Sequence, residues 1–146
     1  LLFQLFTLSR YDGGTLYETT RRYAYDEAAA HLRSEWRGGD LVVHLEPFAM
    51  MPFRYLLPGI AQHQIVPPGS DLPYYLGGTF LSEGEKIRDP DTLLRPGRRI
   101  WIVRFANRRY PPLFSSTAAQ AYRIIPEERA SFRGLEILRI RVAKAM

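Results

Sequence analysis

The fold is decided by residues 23–45, which read YAYDEAAAHLRSEWRGGDLVVHL. Apolar side chains recur at every fourth position, at Ala24, Ala28, Leu32 and Trp36. This spacing predicts a helix over residues 23–37 with one apolar face. Gly38-Gly39 predicts the end of that helix, because glycine accepts the left-handed conformation that closes helices. Residues 41–45 are apolar on both faces and rich in β-branched side chains, which is typical of a buried parallel strand.

Signals for helices and strands alternate through the middle of the chain. We expect a second helix over residues 49–57, with Pro52 tolerated in its first turn, and a weak strand over residues 64–66. Residues 67–90 form a long irregular segment, which is either functional or partly mobile. Asp89-Pro90 then predicts a single helical turn, because the two residues suit an N-cap followed by the first helical position.

The last third of the chain carries the strongest strand signal. Residues 99–105 include four consecutive large apolar side chains and predict a central strand. A third helix is expected from Pro111 to residue 125, where Pro126 would end it. Residues 135–142 alternate apolar side chains with Arg139 and Arg141, a pattern that suits a strand at the edge of a sheet.

This alternation of strands and helices predicts an α/β fold. We expect a three-layer Rossmann-like sandwich, with a mostly parallel sheet of about four to five strands and helices on both faces. The 146 residues fit one domain. We assign residues 23–146 to a single α/β domain and residues 1–22 to a membrane-proximal stub and connector.

The opening octet, residues 1–8, is strongly apolar but shorter than the roughly 20 residues that cross a bilayer. Two interpretations remain open: a strand or packing arm of the domain, or the truncated end of a transmembrane helix. The chain begins with Leu rather than Met, which favours a fragment of a longer protein. Tyr11, Tyr17, Tyr23 and Tyr25 either form an aromatic belt beside a membrane or pack within the domain.

The charge balance is basic, with a net charge of +5, and every basic residue except Lys86 and Lys144 is arginine. An anionic partner such as nucleic acid, phospholipid headgroups or a phosphorylated ligand would explain this balance, and so would a host with an arginine bias. No run of arginine exceeds two residues, so we do not expect nucleic acid as a partner. The chain has no cysteine, which excludes disulfides, thiolate metal sites and cysteine nucleophiles.

Two loops at the carboxyl ends of predicted strands carry polar side chains. Ligands of open α/β sheets bind beyond these ends, where the strand order reverses. The first loop offers His44, Glu46, Arg54 and Tyr55, and the second offers Asn107, Arg108, Arg109 and Tyr110. Carboxylate, guanidinium and aromatic groups together suit a sugar or a phosphate. Any loop of an arginine-rich chain would show the same composition, so a purely structural role stays open.

Motifs for catalysis and cofactors are missing from the sequence. It contains no Walker sequence, no GxGxxG and no GxSxG elbow around Ser115. Glu27, His31 and Glu35 share one helix face, where they would either approach a metal ion or form solvated helix pairs. We favour the solvated pairs and expect no catalytic residue, no metal and no cofactor in this chain.

Several short blocks resemble one family of membrane enzymes. They are LRSEWRGGD at residues 32–40, LVV at 41–43, EPFA at 46–49, PFRYLL at 52–57, RRIWIV at 98–103 and FRGLEILR at 132–139. Their order across residues 24–142 resembles the C-terminal extracytoplasmic domain of multi-spanning bacterial glycosyltransferases related to the dolichyl-phosphate-mannose protein mannosyltransferases. In that family a helix ends at a Gly-Asp turn, and an "rvWlv" strand follows later.

The resemblance implies a parent enzyme that moves a sugar from a polyprenyl-phosphate carrier to a lipid, glycan or protein acceptor. The catalytic aspartate of that family lies in a membrane-region loop that is not among these residues. This chain would then be an accessory, non-catalytic domain on the extracytoplasmic side of the cell membrane. Its partners would be the transmembrane part of the same polypeptide and a lipid-linked sugar or glycan acceptor. The alternative is a free-standing Rossmann-like module that binds a sugar or a phosphorylated ligand.

Overall fold

The computed structural model describes residues 23–69, 72 and 81–145. The stub and connector predicted for residues 1–22, with Tyr11 and Tyr17, lie outside the described residues, as do residues 70, 71 and 73–80 of the 67–90 segment. Within the described part, no helix is both long and apolar enough to cross a membrane.

Helices and strands occupy most of the described chain. In order they are α1 (Tyr25–Glu35), β1 (Leu41–His44), α2 (Pro47–Leu56), β2 (Gln62–Ile65), a 3-10 turn (Glu83–Glu85), β3 (Lys86–Ile87), a second 3-10 turn (Pro90–Leu93), β4 (Arg99–Phe105), α3 (Ser116–Ala121), β5 (Tyr122–Phe132) and β6 (Leu135–Lys144). The second 3-10 turn begins as predicted, because the Asp89 side chain accepts a hydrogen bond from the amide of Asp91.

The six strands that the described residues contribute form one mixed sheet in the order β3-β2-β1-β4-β6-β5. Strands β3, β2, β1 and β4 pair in parallel, whereas β4 pairs with β6, and β6 with β5, in antiparallel fashion. The predicted mostly parallel Rossmann-like sandwich is therefore wrong. The antiparallel half arises because β5 and β6 form a hairpin, whose short turn joins neighbouring strands without a crossover helix.

The layers also differ from the prediction of helices on both faces. Helices α1 and α2 pack together on one face, where Leu32 and Phe53 meet Trp101 and Val103 of β4. On the second face, the alternate β4 residues Ile100 and Ile102 are covered by Leu93 at the end of the second 3-10 turn and by Leu94 directly after it, with Ala118 of α3 against them. We call these surfaces the helical face and the loop face of the sheet.

The predicted helix over residues 111–125 is wrong for most of its length. Helix α3 has six residues, and the chain becomes strand β5 at Tyr122. Strand β5 pairs with β6 from Tyr122↔Lys144 to Phe132↔Leu135, so its long-range pairing outweighs the local helical spacing. Pro126 lies inside this edge strand, beside a register shift between Pro126 and Glu128, where a residue without an amide hydrogen is tolerated.

The predicted edge position of the last strand is also wrong, because β6 lies between β4 and β5. Its arginines are tolerated there because carboxylates neutralise them. Arg139 contacts Glu127 at 3.3 Å and Glu128 at 3.0 Å, and Arg141 contacts Glu127 at 2.8 Å. On the helical face, these ion pairs stabilise the arginine charges in the way that water would on an edge strand.

Candidate functional site

The two central strands, β1 and β4, end side by side at the point where the sheet changes direction. From β1 the chain crosses to β2 and β3 on one side, and it returns to β4 on the other side. His44 of β1 pairs in register with Val103 of β4, close to the carboxyl ends of both strands. The amide of Leu45 donates a hydrogen bond to the carbonyl of Val103 at 3.0 Å. This is the position at which open sheets that contain parallel strands bind ligands.

Glu46 is the centre of this site. It is almost buried and occupies the N-cap position of α2, where its charge faces the positive end of the helix dipole. Its Oε1 atom accepts hydrogen bonds from Arg108 Nη1 at 2.8 Å and from the Tyr110 hydroxyl at 3.0 Å. The structure therefore brings together residues from both predicted loops.

Tyr110 joins the site to β4. Its hydroxyl oxygen accepts from the amide of Phe105 at 3.1 Å while its proton is donated to Glu46. Burial raises the pKa of Tyr110 to about 12, and the hydrogen bond to Glu46 acts in the same direction. The phenol consequently stays protonated at neutral pH and remains a donor to the carboxylate.

Two arginines surround this carboxylate and phenol. Arg108 stacks over the ring of Phe105, with its Cζ 5.3 Å from the ring centroid, and Arg104 stacks over Tyr110 at 5.8 Å. The Arg108 side chain is 55% exposed, so it retains surface through which an anion or a sugar hydroxyl can reach it. Asn107 and Arg109 are exposed in the same loop. The chemistry available here is hydrogen bonding and charge pairing.

His44 does not face this site. Its ring is fully buried on the helical face, 5.3 Å from the ring of Phe53, and its Nε2 lies 2.7 Å from Gln62 Oε1. Gln62 Nε2 in turn donates to the carbonyl of Phe53 at 3.0 Å. Burial lowers the pKa of His44 from 6.5 to about 4, so the ring is neutral at physiological pH. His44 thus belongs to a buried hydrogen-bond network.

Arg54 and Tyr55 are also separate from Glu46. Arg54 points to the β2 side of the molecule, where its Nη2 lies 3.1 Å from Glu85 Oε1. Tyr55 is 86% exposed on the outer face of α2. Of the eight residues named from the sequence, Arg108 and Tyr110 contact Glu46, and Asn107 and Arg109 flank them.

The face of α1 that was considered for a metal ion contacts strands β5 and β6 instead. His31 Nε2 lies 2.7 Å from Glu128 Oε1, and Glu35 Oε2 lies 3.5 Å from Arg139 Nη1. Among the described residues, no group of three or more metal-ligating side chains comes together. This face of α1 therefore meets the carboxylates and arginines of β5 and β6.

The sequence did not predict one cluster of side chains, which surrounds Trp101. Trp101 donates its indole hydrogen to Asp40 Oδ2 at 2.8 Å, and Arg99 approaches the same oxygen at 3.4 Å. The guanidinium of Arg139 stacks over the Trp101 ring at 4.9 Å. The arginines that alternate along β6 were the one feature of the sequence that pointed to this cluster. Without the β5–β6 pairing, however, they predicted a strand edge exposed to solvent.

No family model, no curated protein and no solved structure gives a significant match to this chain.

Proposed function

We propose that this chain is an accessory, non-catalytic domain of an integral membrane glycosyltransferase that uses a polyprenyl-phosphate-linked sugar. The observation that carries the proposal is the bond between Asp40 and Trp101. These residues belong to the two most recognisable blocks of the resemblance, the Gly-Asp turn and the "rvWlv" strand. The two blocks are distant in sequence and lie on or next to paired neighbouring strands, as expected if they belong to one structural unit.

The closing block of the resemblance also takes part in this unit. Arg133 and Gly134 form the turn between β5 and β6, and Gly134 has a φ of 72°. The carbonyl of Arg133 accepts from the amide of Ala24, and that of Gly134 accepts from Ala106. The turn thus holds the residue that precedes α1 and the residue that follows β4, which supports a role in organising the domain.

A non-catalytic role fits the chemistry of the candidate site. Its carboxylate is already paired with a guanidinium and a phenol, and Ser115 is engaged by the Asp91 carboxylate and caps α3. These contacts hold Glu46 and Ser115 in structural roles, which supports binding and orientation rather than catalysis. The reactive carboxylate of the proposed enzyme would lie in the polypeptide before residue 1.

The full reading frame and a transfer assay test this proposal together. We expect several apolar spans upstream of residue 1 and no sugar transfer from a polyprenyl-phosphate sugar by the 146-residue chain alone. A frame that encodes no membrane span would contradict the proposal, as would transfer by the isolated chain.

The second candidate function is ligand binding at Glu46 and Arg108. Their position at the carboxyl ends of β1 and β4, with half of the Arg108 side chain exposed, favours a sugar phosphate. Its hydroxyl groups would bond to the Glu46 carboxylate and its phosphate to Arg108 and Arg109. This hypothesis does not depend on a membrane-embedded parent.

Thermal unfolding with glucose 1-phosphate and with inorganic phosphate tests this candidate. Binding to the native state should raise Tm with ligand concentration. The variant R108A/R109A should lose the shift. The control R37A/R123A removes the same positive charge from exposed positions elsewhere and should keep it. An equal shift in both variants would exclude this site.

A further inference from the structure

A β-bulge in strand β5 opens a gap in the side chains that cover the loop face. The register of β5 against β6 shifts between Pro126 and Glu128. As a result, Glu127 and Glu128 both turn their carboxylates to the helical face, where each contacts Arg139, at 3.3 Å and 3.0 Å. Along the loop face, Pro126 is therefore followed by Arg129, and two residues rather than one separate them.

The gap forms a groove of about 440 Å³ on the loop face. Leu138 and Ile140 of β6 line it, and both take part in the apolar cluster on this face. Their partners on β5, Arg129 and Pro126, line it as well, and so does Arg104 of β4. Small-molecule sites are typically clefts of about 300–1,000 Å³ with apolar walls and a few polar groups, and this groove has that composition.

The charged side chains at this groove carry one net positive charge. Arg104 Nε and Arg129 Nε each lie 2.5 Å from an oxygen of Glu136, so a single carboxylate faces two guanidinium groups. Glu127 and Glu128 also border the groove, but their carboxylates are paired with arginines on the opposite face of the sheet. The groove is therefore complementary to an anion with one negative charge.

Arg129 is the group that such an anion would reach. Its side chain is 69% exposed, whereas that of Arg104 is 26% exposed. Its Nε–H bonds to Glu136, and a guanidinium holds further N–H donors in a planar fork that matches the two oxygens of a carboxylate. A ligand carboxylate can thus pair with Arg129 without displacing Glu136.

We propose that this groove binds a carboxylate that carries an alkyl chain, such as the anion of a medium-chain fatty acid. The chain lies on Leu138, Ile140 and Pro126, where it buries apolar surface, and the carboxylate pairs with Arg129. One negative charge matches the excess charge of the groove, whereas a phosphate monoester brings about 1.5 to 2 at neutral pH. The groove is separate from the candidate site at Glu46, and the inference depends on neither proposed function.

NMR titration of the ¹⁵N-labelled 146-residue chain with octanoate tests the proposal. Octanol has the same alkyl chain without the charge, and acetate has the charge without the chain, so each is titrated over the same concentrations. We expect octanoate to shift the amide signals of Arg129, Leu138 and Ile140 most, octanol to shift them less at equal concentration, and acetate to leave them unchanged.

Two charge variants on the same strand separate Arg129 from the general charge of the protein. Arg129→Gln removes the charge at the groove. Arg123→Gln is the matched control, because Arg123 is exposed and its neighbours Tyr122 and Ile124 pack on the loop face, so it faces the other side. R129Q should weaken octanoate binding about tenfold and leave octanol binding unchanged, whereas R123Q should bind octanoate like the wild type.

Four results would overturn the proposal. They are octanoate binding that R129Q leaves unchanged, octanol binding as tight as that of octanoate in the wild type, an equal loss in R123Q and R129Q, and the absence of octanoate shifts at the groove. Dispersed amide signals in both variants show that each is folded, so a loss of binding reports on the groove itself.

Discussion

Asp40 Oδ2 accepts a 2.8 Å hydrogen bond from the indole nitrogen of Trp101, which joins the turn after α1 to the middle of β4. The Trp101 ring is fully buried, and the Asp40 side chain is 5% exposed. The same oxygen accepts from the backbone amide of Arg37 at 3.1 Å and lies 3.4 Å from Arg99. One carboxylate therefore satisfies a buried donor, closes the turn and neutralises a partly buried arginine.

Replacing Asp40 tests how much this carboxylate contributes to stability. In Asp40→Ala the indole N–H of Trp101 loses its partner, and we expect a loss of about 2–4 kcal/mol in the free energy of unfolding. Asp40→Asn keeps an acceptor for Trp101 and removes only the charge, so its loss should be about 1 kcal/mol. Urea unfolding followed by circular dichroism measures both. Equal losses in the two variants would show that the hydrogen bond contributes nothing beyond the charge.

Two adjacent glycines give a paired test of the turn before Asp40. Gly39 has a φ of 93°, whereas Gly38 lies outside the left-handed region, and an added Cβ would have no atom within 4 Å at either position. Gly39→Ala should therefore cost about 1–2 kcal/mol through backbone strain alone. Gly38→Ala should be neutral or stabilise by up to about 1 kcal/mol, because it reduces the freedom of the unfolded chain. Tm values in the opposite order would contradict this turn geometry.

His44 makes stability depend on pH in a defined window. Burial lowers its pKa from 6.5 to about 4, so between these values the unfolded chain binds a proton that the native protein does not. Stability is therefore full above pH 6.5 and falls as the pH drops towards 4, by roughly 3 kcal/mol for this residue.

His44→Gln isolates that contribution, because glutamine does not titrate and keeps a donor for Gln62. Urea unfolding of the wild type and the variant at pH 7 and at pH 4.5 gives the difference. The variant should lose less stability than the wild type on acidification. Parallel losses in the two proteins would assign the pH dependence to other groups.

On the loop face, the carboxylate of Glu136 pairs with two arginines whose side chains differ in exposure. Its two oxygens lie 2.5 Å from Arg104 Nε and from Arg129 Nε, and burial opposes its ionisation while both arginines hold its pKa below the usual value. The Arg104 side chain is 26% exposed and that of Arg129 is 69% exposed. Arg104→Ala should cost about 1–2 kcal/mol and Arg129→Ala less than about 0.5 kcal/mol. Equal costs by chemical denaturation would argue against a role for burial.

The elements of the parallel half of the fold could be predicted because their signals are local. The helix over residues 23–37, the strand over 41–45 and the strand over 99–105 correspond to α1, β1 and β4. Helix α2 begins two residues before its predicted start, at Pro47, since proline fits the first helical position; Pro52 consequently lies inside the helix. These elements depend on periodicity, glycine and proline, which a single sequence displays.

The antiparallel half could not be predicted because pairing partners decide it. Tyr122-Arg123-Ile124-Ile125 suits a helix or a strand, and only β6 makes it a strand. Arg139 and Arg141 indicate solvent until Glu127 and Glu128 are placed opposite them. The same dependence on long-range structure applies to the site. The sequence predicts the two loops that carry Glu46 and Arg108, but it does not predict that His44 points inward. His44 does so because alternate residues of β1 face opposite sides of the sheet.

Sugar transfer by the full-length protein is the measurement that tests the central claim most directly. Membranes containing the protein that the complete reading frame encodes should transfer label from a polyprenyl-phosphate sugar, and the purified 146-residue chain should transfer none under the same conditions. Label transferred by the purified chain, or membranes as inactive as those without the protein, would contradict an accessory domain of a membrane glycosyltransferase.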